Sequence, residues 1–294
     1  MSPQSHPHGT SDSTREVDVA DALVTDLERL SVEFATTAAR FIRDERPTRV
    51  RVADTKSTDT DVVTIMDRES ESLLRRLILA ARPDDAILGE EGSDVPGTSG
   101  LTWIIDPIDG TVNYLYDIPA YAVSVAVAVG DAHTEGAWRA IAGAVGDPCR
   151  GLVHHARRGG GAWTRREGRG GAEPARRLAV SAEDSLGRSL LATGFGYAAE
   201  VRSRQAEVLR RVLPQVRDIR RIGSAALDLV RVADASVDAY AESGINAWDL
   251  AAGWLIVEEA GGVVVGVGEH PGKALTVAAG PGLVAQVRAL FTQP

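Results

Sequence analysis

Asp106 and Asp109, separated by Pro107 and Ile108 and followed by Gly110 and Thr111, are the residues of this chain best placed to do chemistry. Pro107 fixes its φ at about −65° and Gly110 opens backbone geometry closed to other residues, so the two carboxylates leave the chain in defined directions. Two unit charges about 4 Å apart repel by roughly 4 kcal/mol at an effective dielectric of about 20, so such a pair calls for a proton, an arginine or a cation between its members. No basic residue lies close by in sequence, and oxygen ligands suit a hard ion such as Mg²⁺. Read alone, the run is equally a polar turn whose acids cap a helix. Two further stretches tip the balance. Gly89-Glu90-Glu91-Gly92 sets two carboxylates after the apolar Ala86-Ile87-Leu88, and Trp248-Asp249 sets an acid at the head of an apolar run. Three acidic element ends in one chain favour a metal cluster over three unrelated caps.

Strands and helices must deliver these side chains. Thr102 to Ile105 reads as a short buried strand that breaks at Asp106 and leaves the acids on a loop. Tyr121 to Val129 is apolar on both faces, the pattern of a central strand covered on each side. Gly136 to Val145 and Gly151 to His155 continue as strands, with Gly159-Gly160-Gly161 a turn rather than a phosphate loop, since no lysine follows it. Leu23, Leu27, Leu30, Phe34, Ala38 and Phe41 recur at helical steps and mark one face of a helix over 19–43. A short strand from Val62 to Ile65 precedes a second helix, with Asp67 as its N-cap and Pro83 closing it. Further on, helices are expected over 205–216, 224–233, 247–260 and 282–291, and strands over 218–221, 237–242, 263–267 and 274–279. Ser224 caps the second of these helices, whose free N–H groups attract an anion.

This mixture has no regular βαβ rhythm and no G-x-G-x-x-G turn, so the class is α/β (α+β) but not a dinucleotide fold. With 294 residues the chain can bury a large core. The expected organisation is a disordered tail over 1–18, an N-terminal α+β lobe over 19–150 carrying the metal loops, and a C-terminal α/β lobe over 151–294 completing the site. A net charge of −9 argues against a nucleic-acid surface. Of the 32 basic residues only Lys56 and Lys273 are lysines, which singles out Lys56 near the acidic loops. The lone Cys149 allows no internal disulfide, and no apolar run reaches membrane-spanning length, so the expected location is the cytoplasm.

The trio Gly89-Glu90-Glu91, Asp106-Pro107-Ile108-Asp109-Gly110-Thr111 and Trp248-Asp249 resembles the signature set of the inositol monophosphatase family, Mg²⁺-dependent and lithium-sensitive phosphatases. Lys56, the run Asp61-Val62-Val63-Thr64, Asp67, Gly223-Ser224-Ala225-Ala226 and Asp238 to Gly244 extend the match over roughly residues 20 to 290. Within the family, Thr193 to Tyr197 and Arg221 to Leu229 are worded most like the actinobacterial inositol-1-monophosphatases.

The resemblance implies a layered αβαβα sandwich of the inositol monophosphatase and sugar phosphatase type, and hydrolysis of inositol 1-phosphate to myo-inositol with two or three Mg²⁺. By that likeness Glu90, Asp106 and the backbone oxygen of Ile108 hold one ion, and Asp106, Asp109 and Asp249 hold a second. Glu90 shares a third, weaker one. Thr111, bonded to Asp67, orients a water for direct attack, and a water near Asp249 protonates the leaving oxygen. Phosphate rests on the N–H groups of Gly110 and Thr111 near Lys56. Val112 stands where many relatives carry a second threonine, which removes one contact. Glu242, Asp109, Ser224, Ala225 and Asp249 face the polyol, while Glu91, Asn113 and Tyr114 support the loops. The same resemblance implies a homodimer. Competing esters are histidinol phosphate, fructose 1,6-bisphosphate and nucleotide 3′-phosphates, and the competing class is a non-catalytic interaction protein.

Overall fold

The strand carrying the paired acids runs further than its apolar core suggests. In the computed structural model, which describes residues 20–56, 58, 61–168 and 171–292, it spans Leu101–Asp109. Pairing with the neighbouring strand Ala122–Gly130 continues through the acids: Asp106 faces Ser124, and Asp109, three residues on, faces Ala122, only two residues back. Pro107 sits in that slip. A residue without an N–H cannot serve the ladder, and a bulge is where a strand tolerates it. The two carboxylates therefore project from a bulged strand end, not from the loop expected after Ile105.

This strand lies inside an eight-stranded sheet. Ala86–Gly89 pairs parallel on one side. On the other, Ala122–Gly130, Trp138–Asp147, Leu152–Arg157, Gly161–Gly168 and Arg176–Arg177 follow antiparallel, with Gly171–Ala172 also on Gly161–Gly168. Trp103 and Ile105 point into a core shared with helices Asp21–Asp44 and Ile65–Ala81. Ile104 points the other way, with Ala126 and Ala128, toward helices Ala225–Ala233 and Ala247–Glu259. Those two helices are covered in turn by a five-stranded sheet, in the order Asp218–Arg220, Leu190–Ala192, Ala239–Glu242, Thr276–Ala279 and Val263–Val265. Helices Ala199–Val212 and Val284–Thr292 close its outer face through Val212, Val284 and Val287. The layers are thus α/β/α/β/α, as the resemblance implied. Helix Ala247–Glu259, buried from Leu250 to Val257, sits in the middle layer, which is why it is apolar all round.

Several sequence expectations shift. Asp67 is not the N-cap of helix Ile65–Ala81 but its third residue. Thr64 is the cap, and the two close a capping box in which Asp67 Oδ2 accepts from the Thr64 N–H at 2.8 Å. The helix placed over 205–216 begins at Ala199 and runs into a 3₁₀ turn, Leu213–Gln215. Among the strands the sequence did not single out are Val52–Thr55, which pairs antiparallel with Val62–Thr64, and Leu190–Ala192. Strands from Ala86 to Arg177 belong to the eight-stranded sheet, and the five-stranded sheet begins at Leu190. The tail expected over 1–18 lies outside the described residues. Among the described residues no helix is long and apolar enough to cross a membrane.

Candidate active site

Three element ends converge on one cleft. The bulged strand supplies Asp106 and Asp109, and Gly110 turns the chain at φ 99° into the short helix Thr111–Tyr116. A Cβ at Gly110 would also lie 3.0 Å from the Gly223 carbonyl and 3.1 Å from that of Ala120, so glycine satisfies both the left-handed backbone and the close approach. Asp106 Oδ1 accepts from the Ile108 N–H at 2.9 Å, while its Oδ2 is buried without a hydrogen-bond partner. Asp109 Oδ2 accepts from Ser224 Oγ and from the Ala226 N–H, both at 2.6 Å, tying the bulge to the start of helix Ala225–Ala233. Asp249, in the first turn of helix Ala247–Glu259, accepts from the Asn246 N–H at 2.6 Å. One oxygen each from Asp106, Asp109 and Asp249 lies within 4.8 Å of the others.

Glu90 closes the group from the end of strand Ala86–Gly89, beside Asp106. Lys56 Nζ stands 2.7 Å from Glu90 Oε1 and 2.5 Å from Glu91 Oε1. At the cleft's edge, Thr111 Oγ1 is 2.8 Å from Asp67 Oδ1, which lies behind the lining, and 3.1 Å from the Ile108 carbonyl. A threonine hydroxyl has one proton, and giving it to buried Asp67 leaves a lone pair directed elsewhere. On the opposite wall Glu242 ends strand Ala239–Glu242, and Tyr240 OH donates to its Oε2 at 2.8 Å.

Burial dominates the electrostatics. It pushes Asp106 and Asp249 well above the usual carboxylate range, with repulsion from neighbouring acids adding to it. Asp109 is raised by burial and held back by its bonds to Ser224 and Ala226. Burial lifts Glu90 to about 7 against the pull of Lys56, and Glu242 to about 7 against the Tyr240 hydroxyl. Burial works against the Lys56 ammonium, yet Glu90 and Glu91 outweigh it and hold the group above its ordinary value. Acids this costly to ionise, one with an orphaned oxygen, make an all-oxygen donor set that fits a hard divalent cation.

The cleft encloses about 440 Å³ and is lined by Lys56, Glu90, Asp106, Ile108, Asp109, Gly110, Thr111, Ser224, Ala225, Glu242 and Asp249 together. Asp67 alone of the expected set lies behind the lining. Asn113 and Tyr114 support the loop as expected: Asn113 donates to the Ala120 and Ile222 carbonyls, and Tyr114 OH donates to that of Ile42. Sequence reasoning missed Glu71, which takes the Glu91 N–H at 2.7 Å and Arg75 at 2.8 Å and so fixes the loop bearing Glu90. Its signal was present: Asp67, Ser70, Glu71, Leu74 and Ile78 share the buried face of one helix, and polar residues on such a face have a task. Asp228 and Arg221 also line the cleft unforeseen. Burial raises Asp228 to about 8, and Arg221 stacks over the Phe195 ring at 5.9 Å.

Two sheets meeting over a cleft of crowded carboxylates, with a buried acid holding a hydroxyl at its rim, define an enzyme of the phosphatase type. Residues 24–292 match the model of the inositol monophosphatase family. An inositol-1-monophosphatase of Mycobacterium leprae is 45% identical over 274 residues, spanning 87% of this chain and 90% of that protein. A Nus factor SuhB of Haemophilus influenzae is 36% identical over 237 residues, 80% of this chain and 83% of that one. The solved structure of Mycobacterium tuberculosis SuhB superposes with a TM-score of 0.73 at 40% identity, covering 91% of this chain and 96% of that chain. The chain belongs to the inositol monophosphatase family, and with it to the phosphatases.

Proposed function

We propose that this chain hydrolyses inositol 1-phosphate to myo-inositol and phosphate with Mg²⁺ held by Glu90, Asp106, the Ile108 carbonyl, Asp109 and Asp249. The observation that carries the reading is the meeting of the three aspartate oxygens within 4.8 Å in a cleft whose far wall presents Glu242. When bound there, Mg²⁺ supplies charge neutralisation on phosphoryl oxygens and acidity to water. The chain's own groups do the rest. The N–H groups of Gly110 and Thr111 receive phosphate oxygens at the strand end, and Lys56 offsets charge at the rim. The Thr111 hydroxyl, its proton committed to Asp67, accepts from a water and aims it at phosphorus. The Asp249 carboxylate holds a second water near the leaving oxygen. Glu242 accepts from polyol hydroxyls, with Ser224 and Ala225 beside it.

The competing reading, a partner-binding protein that keeps the fold without chemistry, leaves mutually repelling carboxylates without a purpose. Phosphate release from inositol 1-phosphate, histidinol phosphate, fructose 1,6-bisphosphate and a nucleotide 3′-phosphate, with and without Mg²⁺, tests the proposal. Turnover is expected only with the ion and fastest on inositol 1-phosphate. Preference for histidinol phosphate would replace the substrate, and no release from any ester would remove the activity.

A further inference from the structure

Glutamate is a flexible side chain, and ordering one at the moment of binding costs affinity. Glu242 is ordered beforehand. Tyr240 lies two residues earlier in the same strand, so the two side chains share a face. Its ring is fully buried among the middle-layer helices, and its hydroxyl donates to Glu242 Oε2 at 2.8 Å. The carboxylate also lies tight against bare backbone: a Cβ at Gly194 would fall 2.0 Å from Oε2 and 2.3 Å from Oε1. The hydroxyl and the bare glycine together confine the carboxylate. Tyr240 itself is absent from the cleft lining, which includes both Gly194 and Glu242.

We propose that Tyr240 is a positioning residue for substrate selection: its hydroxyl occupies Glu242 Oε2 and thereby presents Oε1 as the acceptor for a substrate hydroxyl, with Gly194 providing the space. This rests on the role given to Glu242 above. Losing Tyr240 OH leaves the tyrosine ring's volume in place as phenylalanine but frees the glutamate to turn away. The effect therefore falls on substrates that offer a hydroxyl and scarcely on those that do not.

The test is steady-state kinetics with Mg²⁺ for wild type, Tyr240→Phe, Glu242→Gln and the double variant, on inositol 1-phosphate and on p-nitrophenyl phosphate, which has no hydroxyl to offer. One hydrogen bond of ordinary strength is worth about fivefold. Tyr240→Phe is expected to raise KM for inositol 1-phosphate about fivefold with little change in kcat, and to lower the ratio of kcat/KM between the two esters by a similar factor. In the Glu242→Gln background the same change is expected to have almost no further effect, because the two residues act as one unit. Gly194→Ala, whose Cβ would crowd the same carboxylate, is expected to raise the same KM. Equal losses on both esters, or a Tyr240→Phe effect that persists undiminished without Glu242, would overturn the positioning role. If Glu242→Gln fails to alter the ratio, the Glu242 assignment itself falls. A clear Glu242 effect beside a silent Tyr240→Phe removes Tyr240 alone.

Discussion

Asp109 shows how much a single side chain can be asked to do. Its Oδ2 accepts from Ser224 Oγ and the Ala226 N–H, while one of its oxygens also meets those of Asp106 and Asp249 within 4.8 Å. In Asp109→Asn the amide must keep its oxygen toward those two donors, so its NH₂ replaces the other carboxylate oxygen. We expect kcat on inositol 1-phosphate to fall by on the order of 10² or more at saturating Mg²⁺, since electrostatic contributions at reacting centres are worth several kcal/mol. Near-normal turnover would contradict the ligand assignment. Asp106, Asp109 and Glu90 were legible in the sequence because they stand where apolar runs stop abruptly, and Asp249 because it heads one. Tyr240 and Asp228 were not, because spacing shows which residues share a face but not which hydroxyl reaches which carboxylate. Asp67 was found and misplaced by one role: Thr64 precedes it by three, and T-x-x-D is itself a capping-box pattern that puts the threonine at the cap.

Elements with a full apolar face were legible, and those without one were not. Helix Asp21–Asp44 and strand Ala122–Gly130 carry long, clean patterns. Strand Val52–Thr55 is exposed throughout and Leu190–Ala192 is three residues long, so neither has a periodicity to find. The bulge at Pro107 was hidden because proline reads as a stop when pairing in fact continues past it. The order of layers depends on helix Ala247–Glu259 slipping between two sheets, and Gly253 is where that becomes tight. A Cβ there would lie 2.6 Å from Leu229 Cδ1 and 2.7 Å from Leu229 Cβ, in the neighbouring helix. Gly→Ala in an exposed helix gains about 1 kcal/mol, whereas overpacking a core costs about 1–3 kcal/mol. With the clash reaching a Cβ rather than a flexible tip, we expect Gly253→Ala to lose about 1–2 kcal/mol in urea unfolding. A variant as stable as the wild type would show that these helices have room to separate.

At the scale of the molecule, the buried acids tie stability to pH and to the cation. Burial raises Glu90 to about 7 and holds Asp106 and Asp249 well above their usual range. A carboxylate raised in the folded state contributes its stability below its unfolded value, and that contribution is lost as pH rises through the folded value. Metal-free protein should therefore lose stability as pH climbs through about 7. Buried His154, pushed down to about 3 mainly by burial, has the opposite sign. Its stability is lost only as pH falls below its unfolded value of about 6.5, so a window above that isolates the acids. A cation bound to the folded state alone adds roughly 2.7 kcal/mol at a hundred times its Kd, and its ligands must be deprotonated to receive it. At about 2–4 °C per kcal/mol, the range for chains somewhat shorter than this one, Mg²⁺ should raise Tm by about 5–10 °C at pH near 8.5 and by clearly less at pH near 6.5, measured by calorimetry against a chelator control. An equal rise at both values, or none at either, would mean that the carboxylates are not where the ion binds.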